Sequence, residues 1–336
     1  MRHLKRLLQA AACAAAALAL ALGAASPASA AKYTMKFAHN SPPKPDLLYQ
    51  ASALLFKTLL QVYSRGEADV EIFPSSQLGN DGVAAKKVQL GSIEIQIVAS
   101  NNISGFDRRY DVYTLPFLFG SFQGAAKVFN GPVGQKIAED FRQKSGIRVL
   151  GNMATGFRNM TNSKHPILKP ADLSGLRIRI AKNPIMVATY EAMGGSTIGM
   201  NPTETFSALS TKTVDGQDGG SAWAWAQKFY EVQKFLSVTR HQLVAGSLII
   251  NDKYYAGLPK PIQAAIIRAA KETIGWANAY AEQEEEKIVK GFEAKGLKID
   301  RPDLAPFREA VKPVYNKFAG QLGGMGLVQR IIDAQK

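Results

Sequence analysis

From residue 33 onward, apolar positions switch repeatedly between a period of two and a period near 3.6. Tyr33–His39 (YTMKFAH) alternates like a strand. Residues 45–66 (PDLLYQASALLFKTLLQVYSRG) carry a helical stripe that runs to Gly66, a residue suited to the left-handed turn after a helix. ADVEIFP (68–74) reads as a second strand, GNDGVAAKKVQLG (79–91) as a short helix ending at Gly91, and SIEIQIVA (92–99) as a third strand. This strand-helix alternation predicts a parallel sheet with crossover helices. Residues 122–146 add helix, and IRVLGNMA (147–154) adds another strand.

A second series then begins. GFRNMTNSK (156–164) and LRIRI (176–180) read as strands. Asn183-Pro184 is a helix cap followed by proline at the first helical position, and Gly194-Gly195 closes that helix. STIGM (196–200) is a strand, Asn201-Pro202 repeats the cap, and Glu204 sits at the capping-box position. After TVDGQDGG (213–220), read as a turn, Ser221–Phe235 is expected to be helical and HQLVAGSLIIN (241–251) a strand. The longest helical pattern runs from Pro261 to Gly291, with Ile262, Ile266, Ala270 and Ile274 as its buried stripe and Glu286 and Lys290 as a surface pair. No repeat or disordered linker interrupts the chain. Two α/β lobes interleaved by crossing strands fit better than two tandem domains.

The first 30 residues follow another logic. Arg2, Lys5 and Arg6 precede an Ala/Leu-rich run from about Leu7 to Gly23, and Ala28-Ser29-Ala30 fits a small-x-small cleavage site. That predicts a cleaved secretory signal peptide, residues 1–30, and a mature chain not itself embedded in a membrane. Cys13, the single cysteine, lies inside the apolar run, away from the end where a lipid-attachment cysteine would stand. The mature chain then has no cysteine, which excludes disulfides, thiolate metal sites and a cysteine nucleophile. The leader holds three of the 41 Lys and Arg and none of the 27 acids, so the mature chain sets 38 against 27, a net charge of +11. The bases are scattered, with no basic run reaching five, so the charge reads as a field favouring anions and not as a nucleic-acid surface.

Catalytic signatures are missing. There is no GxSxG, P-loop or HExxH, and Gly324-Met325-Gly326 is followed by no βαβ unit. His39, His165 and His241, the mature histidines, are far apart without ligand-type spacing and read as local hydrogen-bonding residues. What does stand out is LRIRI. Its strand alternation puts Arg177 and Arg179 on one face, and arginine cannot shed its charge when buried. Arg179 ends its strand, where open α/β sheets bind ligands, and its planar fork suits a carboxylate. Arg177, two residues earlier, reads as structural.

EIFPSSQLGND (71–81), VQLGSIEIQIV (88–98), YTLPFLF (113–119), GFRNMTNSKHPI (156–167), KPADLSGLRIRI (169–180), FSALSTKTVDGQD (206–218) and KFYEVQKFLSVTRH (228–241) form an ordered series. Together they resemble the solute-binding proteins of TRAP (tripartite ATP-independent periplasmic) transporters, of dicarboxylate-receptor type, over nearly all of the mature chain. The resemblance implies an α/β fold of two lobes around a cleft, a hinge of crossing strands and a long helix spanning both. It implies a periplasmic receptor that binds an organic carboxylate and delivers it to TRAP membrane subunits, as a monomer, with no enzyme activity, cofactor or nucleic-acid partner. A ligand sensor feeding a signalling kinase and a secreted enzyme acting on an anion are the alternatives. We expect residues 31–155 plus about 245–284 to form lobe I, and 156–244 plus about 285–336 to form lobe II.

In this family an arginine matching Arg179 holds the anion, and Arg158 in GFRNM matches a second cationic position. His39 and Asn40 end the first strand, and Asn101 ends the third-strand region with Asn102; their polar side chains are expected to reach the cleft. Gln217 and Asp218 resemble a cleft-lining segment. Where many members have Asn-Pro, this chain has Gly219-Gly220, followed by Trp223 and Trp225, and Pro202 replaces a cleft-side aromatic. The glycines are expected to make room and Trp223 to supply a flat apolar wall, which leans towards a bulkier or aromatic carboxylate.

Overall fold

A computed structural model describes residues 31–336; the signal-peptide reading and Cys13 lie outside these residues. The strands are β1 (Tyr33–Ala38), β2 (Ala68–Phe73), β3 (Ile95–Ala99), β4 (Ile147–Asn162), β5 (Arg177–Ile180), β6 (Ser196–Gly199), β7 (Gly216–Gly220), β8 (Phe235–Asn251) and β9 (Lys298–Asp300). They form one sheet in the order β2-β1-β3-β8-β4-β7-β5-β6, with β9 beside β8. At one end β1 runs parallel to both β2 and β3, and at the other β5 runs parallel to both β6 and β7. Between them lie β4 and β8, 16 and 17 residues long, which pair antiparallel with each other. β8 continues the sheet to β3, and β4 continues it to β7. Two α/β lobes are thus joined by a pair of crossing strands, as expected.

Several of the local causes were legible in the sequence. The helix Leu48–Tyr63 buries Leu48, Ala53, Phe56 and Leu60, spaced three to five apart, and Phe56 meets Phe37 of β1 edge-on at 5.6 Å. The helix Asp81–Leu90 starts where the Asn80 side chain accepts from the Val83 amide, and stops at Gly91, which is left-handed at φ 81°. The helix Pro184–Ala192 is capped by Asn183, which accepts from the Ile185 and Met186 amides. The longest helix, Lys260–Ala294, buries Ile262, Ile266, Ala270 and Ile274 and packs on the helix Leu48–Tyr63, on β4 and on the helix Ser221–Ala226. It therefore packs on elements from both halves of the chain.

Six local readings are corrected. IRVLGNMA and GFRNMTNSK are one strand, β4, whose pairing with β8 slips between Ala154 and Phe157, where Gly156 adopts φ 128°. The helix over 122–146 is two, Phe122–Asn130 and Pro132–Ser145, because Pro132 lacks the amide needed to continue the first. TVDGQDGG is no turn: its second half is β7, buried throughout. A Cβ on Gly216 would lie 2.3 Å from the Thr161 carbonyl oxygen, so glycine is what lets β7 close on β4. Ser221–Phe235 is helical only to Ala226, since Lys228 turns left-handed (φ 57°) and Phe229 is drawn into a buried edge-on contact with Trp223 at 4.9 Å. Finally, Asn201 donates to Glu204 Oε1 (2.6 Å) without capping a backbone amide, and Glu286 pairs with Arg301 (2.6 Å).

Candidate functional site

A cleft with a volume of about 200 Å³ lies between the ends of the sheet, below the ~300–1,000 Å³ typical for drug-sized ligands and suited to a small organic molecule. Asn40, Asn101 and Asn102 face it from the segments after β1 and β3, and Asp81 from the start of the helix Asp81–Leu90. Arg158 of β4, Arg179 of β5 and Trp223 face it from the opposite end.

Arg179 is the more deeply buried of the cleft's two arginines. Its strand is held between β6 and β7, and the side chain is 2% exposed. One hydrogen bond is made, from Nη2 to the Met200 carbonyl oxygen (2.7 Å), while Nε has no partner and no carboxylate of the described residues forms an ion pair with it. Its Cζ sits 5.1 Å from the Trp223 ring centroid. Burial, with the Arg158 charge nearby, pulls the guanidinium down to about 9 from its usual value. Arg177, by contrast, is half exposed and gives Asp215 a forked bond, Nε to Oδ2 at 3.0 Å and Nη2 to Oδ1 at 3.1 Å. The two arginines share a face, yet only the one farther along the strand is left without an anion.

Arg158 is balanced from behind. Its Nε donates to Asp218 Oδ1 (2.6 Å) and its Nη2 to the Asp218 carbonyl oxygen (2.8 Å). His241 Nε2 lies 3.3 Å from the same Oδ1, with Nδ1 bonded to Thr239 Oγ1 at 2.8 Å. Burial pushes the Asp218 carboxyl up, but Arg158 and His241 outweigh it and hold it down at about 2. Asp218 is thus a fixed negative charge under the cleft floor.

Of the residues singled out from sequence, Arg179, Arg158, Asn40, Asn101 and Trp223 line the cleft, while His39, Gln217 and Asp218 stand behind it. His39 accepts from the Ser41 amide at Nδ1 (3.2 Å) and so donates through Nε2 to Gln50 Oε1 (2.9 Å). Gln217 donates to Thr161 Oγ1 of β4 (3.0 Å).

Asp81 and Glu285 were missed. Asp81 is 4% exposed, and its Oδ2 accepts from Asn40 Nδ2 (2.9 Å) and Asn102 Nδ2 (2.7 Å), with Asn101 Nδ2 donating to Asn102 Oδ1 (2.8 Å). Burial raises its carboxyl to about 6. In the sequence it passes for an ordinary first-turn helix acid, and only its burial marks it out. Glu285, in an acidic run that reads as a solvated face, lines the cleft from the long helix and takes a bond from Arg240 Nη1 (2.8 Å); burial raises it to about 7.

The glycine expectation is half right. Gly220 faces the cleft, but a Cβ on Gly219 would lie 2.6 Å from Trp223 Cε3. Gly219 therefore seats the indole. Trp223 and Trp225 pack on a secondary core of Phe229, Leu236 and Phe292 among others, and each also presents a surface to the cleft. No group of three or more His, Cys, Asp or Glu among the described residues could hold a metal ion, and no described helix is long and apolar enough to cross a membrane.

The family model for DctP, bacterial extracellular solute-binding protein, family 7, matches residues 37–321. The 2,3-diketo-L-gulonate-binding periplasmic protein YiaO of Escherichia coli (strain K12) is 33% identical over 248 residues, 74% of this chain and 75% of that protein. The sugar acid binding protein DctPAm from Advenella mimigardefordensis, solved in complex with galactonate, superposes with a TM-score of 0.86 at 28% identity, covering 91% of this chain and 98% of that one. A TRAP periplasmic solute-binding protein from Sulfurospirillum deleyianum with bound succinate gives a TM-score of 0.84 at 26% identity, covering 91% and 100%.

Proposed function

Because this chain belongs to bacterial extracellular solute-binding protein family 7, the TRAP-type periplasmic receptors, we propose that it captures an organic carboxylate on Arg179 and delivers it to a TRAP membrane component. One observation carries the assignment of the anchor: a guanidinium buried at the wall of a cleft, with no carboxylate of the described residues paired to it. Such a charge is costly until an anion arrives, and the relatives named above bind acids. Arg158 adds a second cation, with Asp218 fixing its direction, and Trp223 walls the anion's side of the cleft.

In this reading residues 31–155 plus about 245–284 form one lobe, and 156–244 plus about 285–336 the other. They close about β4 and β8 on the ligand, and loss of water strengthens the arginine–carboxylate pair. The leader of residues 1–30 is removed on export, and the mature receptor acts as a monomer without a catalytic step.

The decisive experiment is calorimetry of the mature protein against a panel of organic acids. Arg179→Ala lowers affinity for the bound acid by roughly 2–5 kcal/mol, about 30-fold to several-thousand-fold. Arg179→Lys, which keeps the charge and loses the planar fork, also binds poorly. Unchanged affinity in both variants would falsify the assignment.

A further inference from the structure

The charges around the cleft are unevenly divided. Among the described residues its only cationic side chains are Arg158 and Arg179, both on the β5 side, whereas four carboxylates line it: Asp46, Asp81, Glu284 and Glu285. Arg158 already carries Asp218 as its partner, so one buried cation is left for a ligand. The opposite wall offers Asp81, at the start of the helix Asp81–Leu90, held in place by two amides from the segments after β1 and β3.

The direction of those amides matters. Asn40 and Asn102 both donate to Asp81 Oδ2, which leaves Oδ1 with no protein donor among the described residues. Each of these amides thus spends one of its two N–H donors on the protein's own acid. Asp81 itself, when ionised, can only accept.

Resting on the reading that Arg179 holds a carboxylate, we propose that the cleft selects monocarboxylates whose far end carries a hydrogen-bond donor, hydroxy or polyhydroxy acids, over dicarboxylates, with Asp81 as the discriminating residue. A terminal hydroxyl gives Asp81 Oδ1 a charge-assisted hydrogen bond. A terminal carboxylate in the same place meets a like charge with no spare cation, and such juxtaposition is unfavourable. The selection is therefore built from repulsion as well as attraction.

Matched pairs test this without assuming one ligand: glycolate and oxalate, erythronate and tartrate, gluconate and glucarate. Each pair has one chain length and differs at the second terminus. By calorimetry at neutral pH, every pair that binds wild-type protein shows the monocarboxylate at least tenfold tighter. Asp81→Asn, nearly isosteric and checked for an unchanged melting temperature, shrinks that preference at least tenfold, with the dicarboxylate gaining. Arg179→Ala weakens both members of a pair alike. A wild-type protein that binds the dicarboxylate equally or more tightly, or an Asp81→Asn variant with its preference intact, overturns the selection while leaving the arginine anchor standing. No binding by any pair overturns the anchor, and the selection with it.

Discussion

Arg179 and Arg177 are the same residue type, two positions apart on one strand face, yet they have opposite surroundings. Arg177 lies where β5 begins, half in water, and Asp215 satisfies it. Arg179 lies where β5 ends, under Trp223 and out of water. The seating of that indole depends on Gly219, since any side chain there starts 2.6 Å from Trp223 Cε3. Gly219→Ala is accordingly expected to push the ring off Arg179 and to lower carboxylate affinity by about tenfold or more, ~1.4 kcal/mol. Calorimetry of the variant, with the tryptophan emission maximum as a report on the ring's surroundings, checks this; wild-type affinity would mean that the indole does not support the cation.

The elements show why glycine appears where a strand seems unfavourable. GQDGG has little β-propensity and reads as a turn, but β7 is inserted between β4 and β5 with its backbone almost touching β4. Gly216→Ala would place a methyl 2.3 Å from the Thr161 oxygen and 2.8 Å from Asn162 Cβ. The strands must part to admit it, at a cost of about 1–3 kcal/mol, seen as a lower midpoint in urea unfolding. An unchanged midpoint would show that β7 can shift freely. Separation there would also move Asp218, two residues on, and with it the partner of Arg158.

Across the molecule, three buried groups tie stability to pH in opposing directions. His39 is lowered by burial to about 4 from 6.5, so the unfolded chain takes its proton first. Its contribution is present above pH 6.5 and is lost as the pH falls towards 4. Asp81 and Glu285, raised to about 6 and about 7 by burial, act the other way: their contribution is present at low pH and is lost as the pH rises through those values. Replacing His39 isolates one side. His39→Gln, whose amide can still donate to Gln50, should gain on wild type by on the order of 3 kcal/mol between pH 7.5 and 4.5. Melting temperatures of both proteins at the two pH values measure it, and a constant difference would refute the assignment.

Much of this was legible before any coordinates. The alternation of YTMKFAH and LRIRI, the cap at Asn183, the stop at Gly91 and the stripe of the longest helix rest on contacts within a few residues, so local spacing determined them. An arginine at a strand end was visible for the same reason. Other features needed the whole chain in place. Which residues of GQDGG face the cleft, whether Arg158 or Arg179 is left unpaired, and that Asp81 is buried are settled by strands and loops brought together from more than 40 positions apart. Burial and charge pairing are properties of that assembly: spacing can put an arginine at the tip of a strand, but only packing decides whether an acid reaches it.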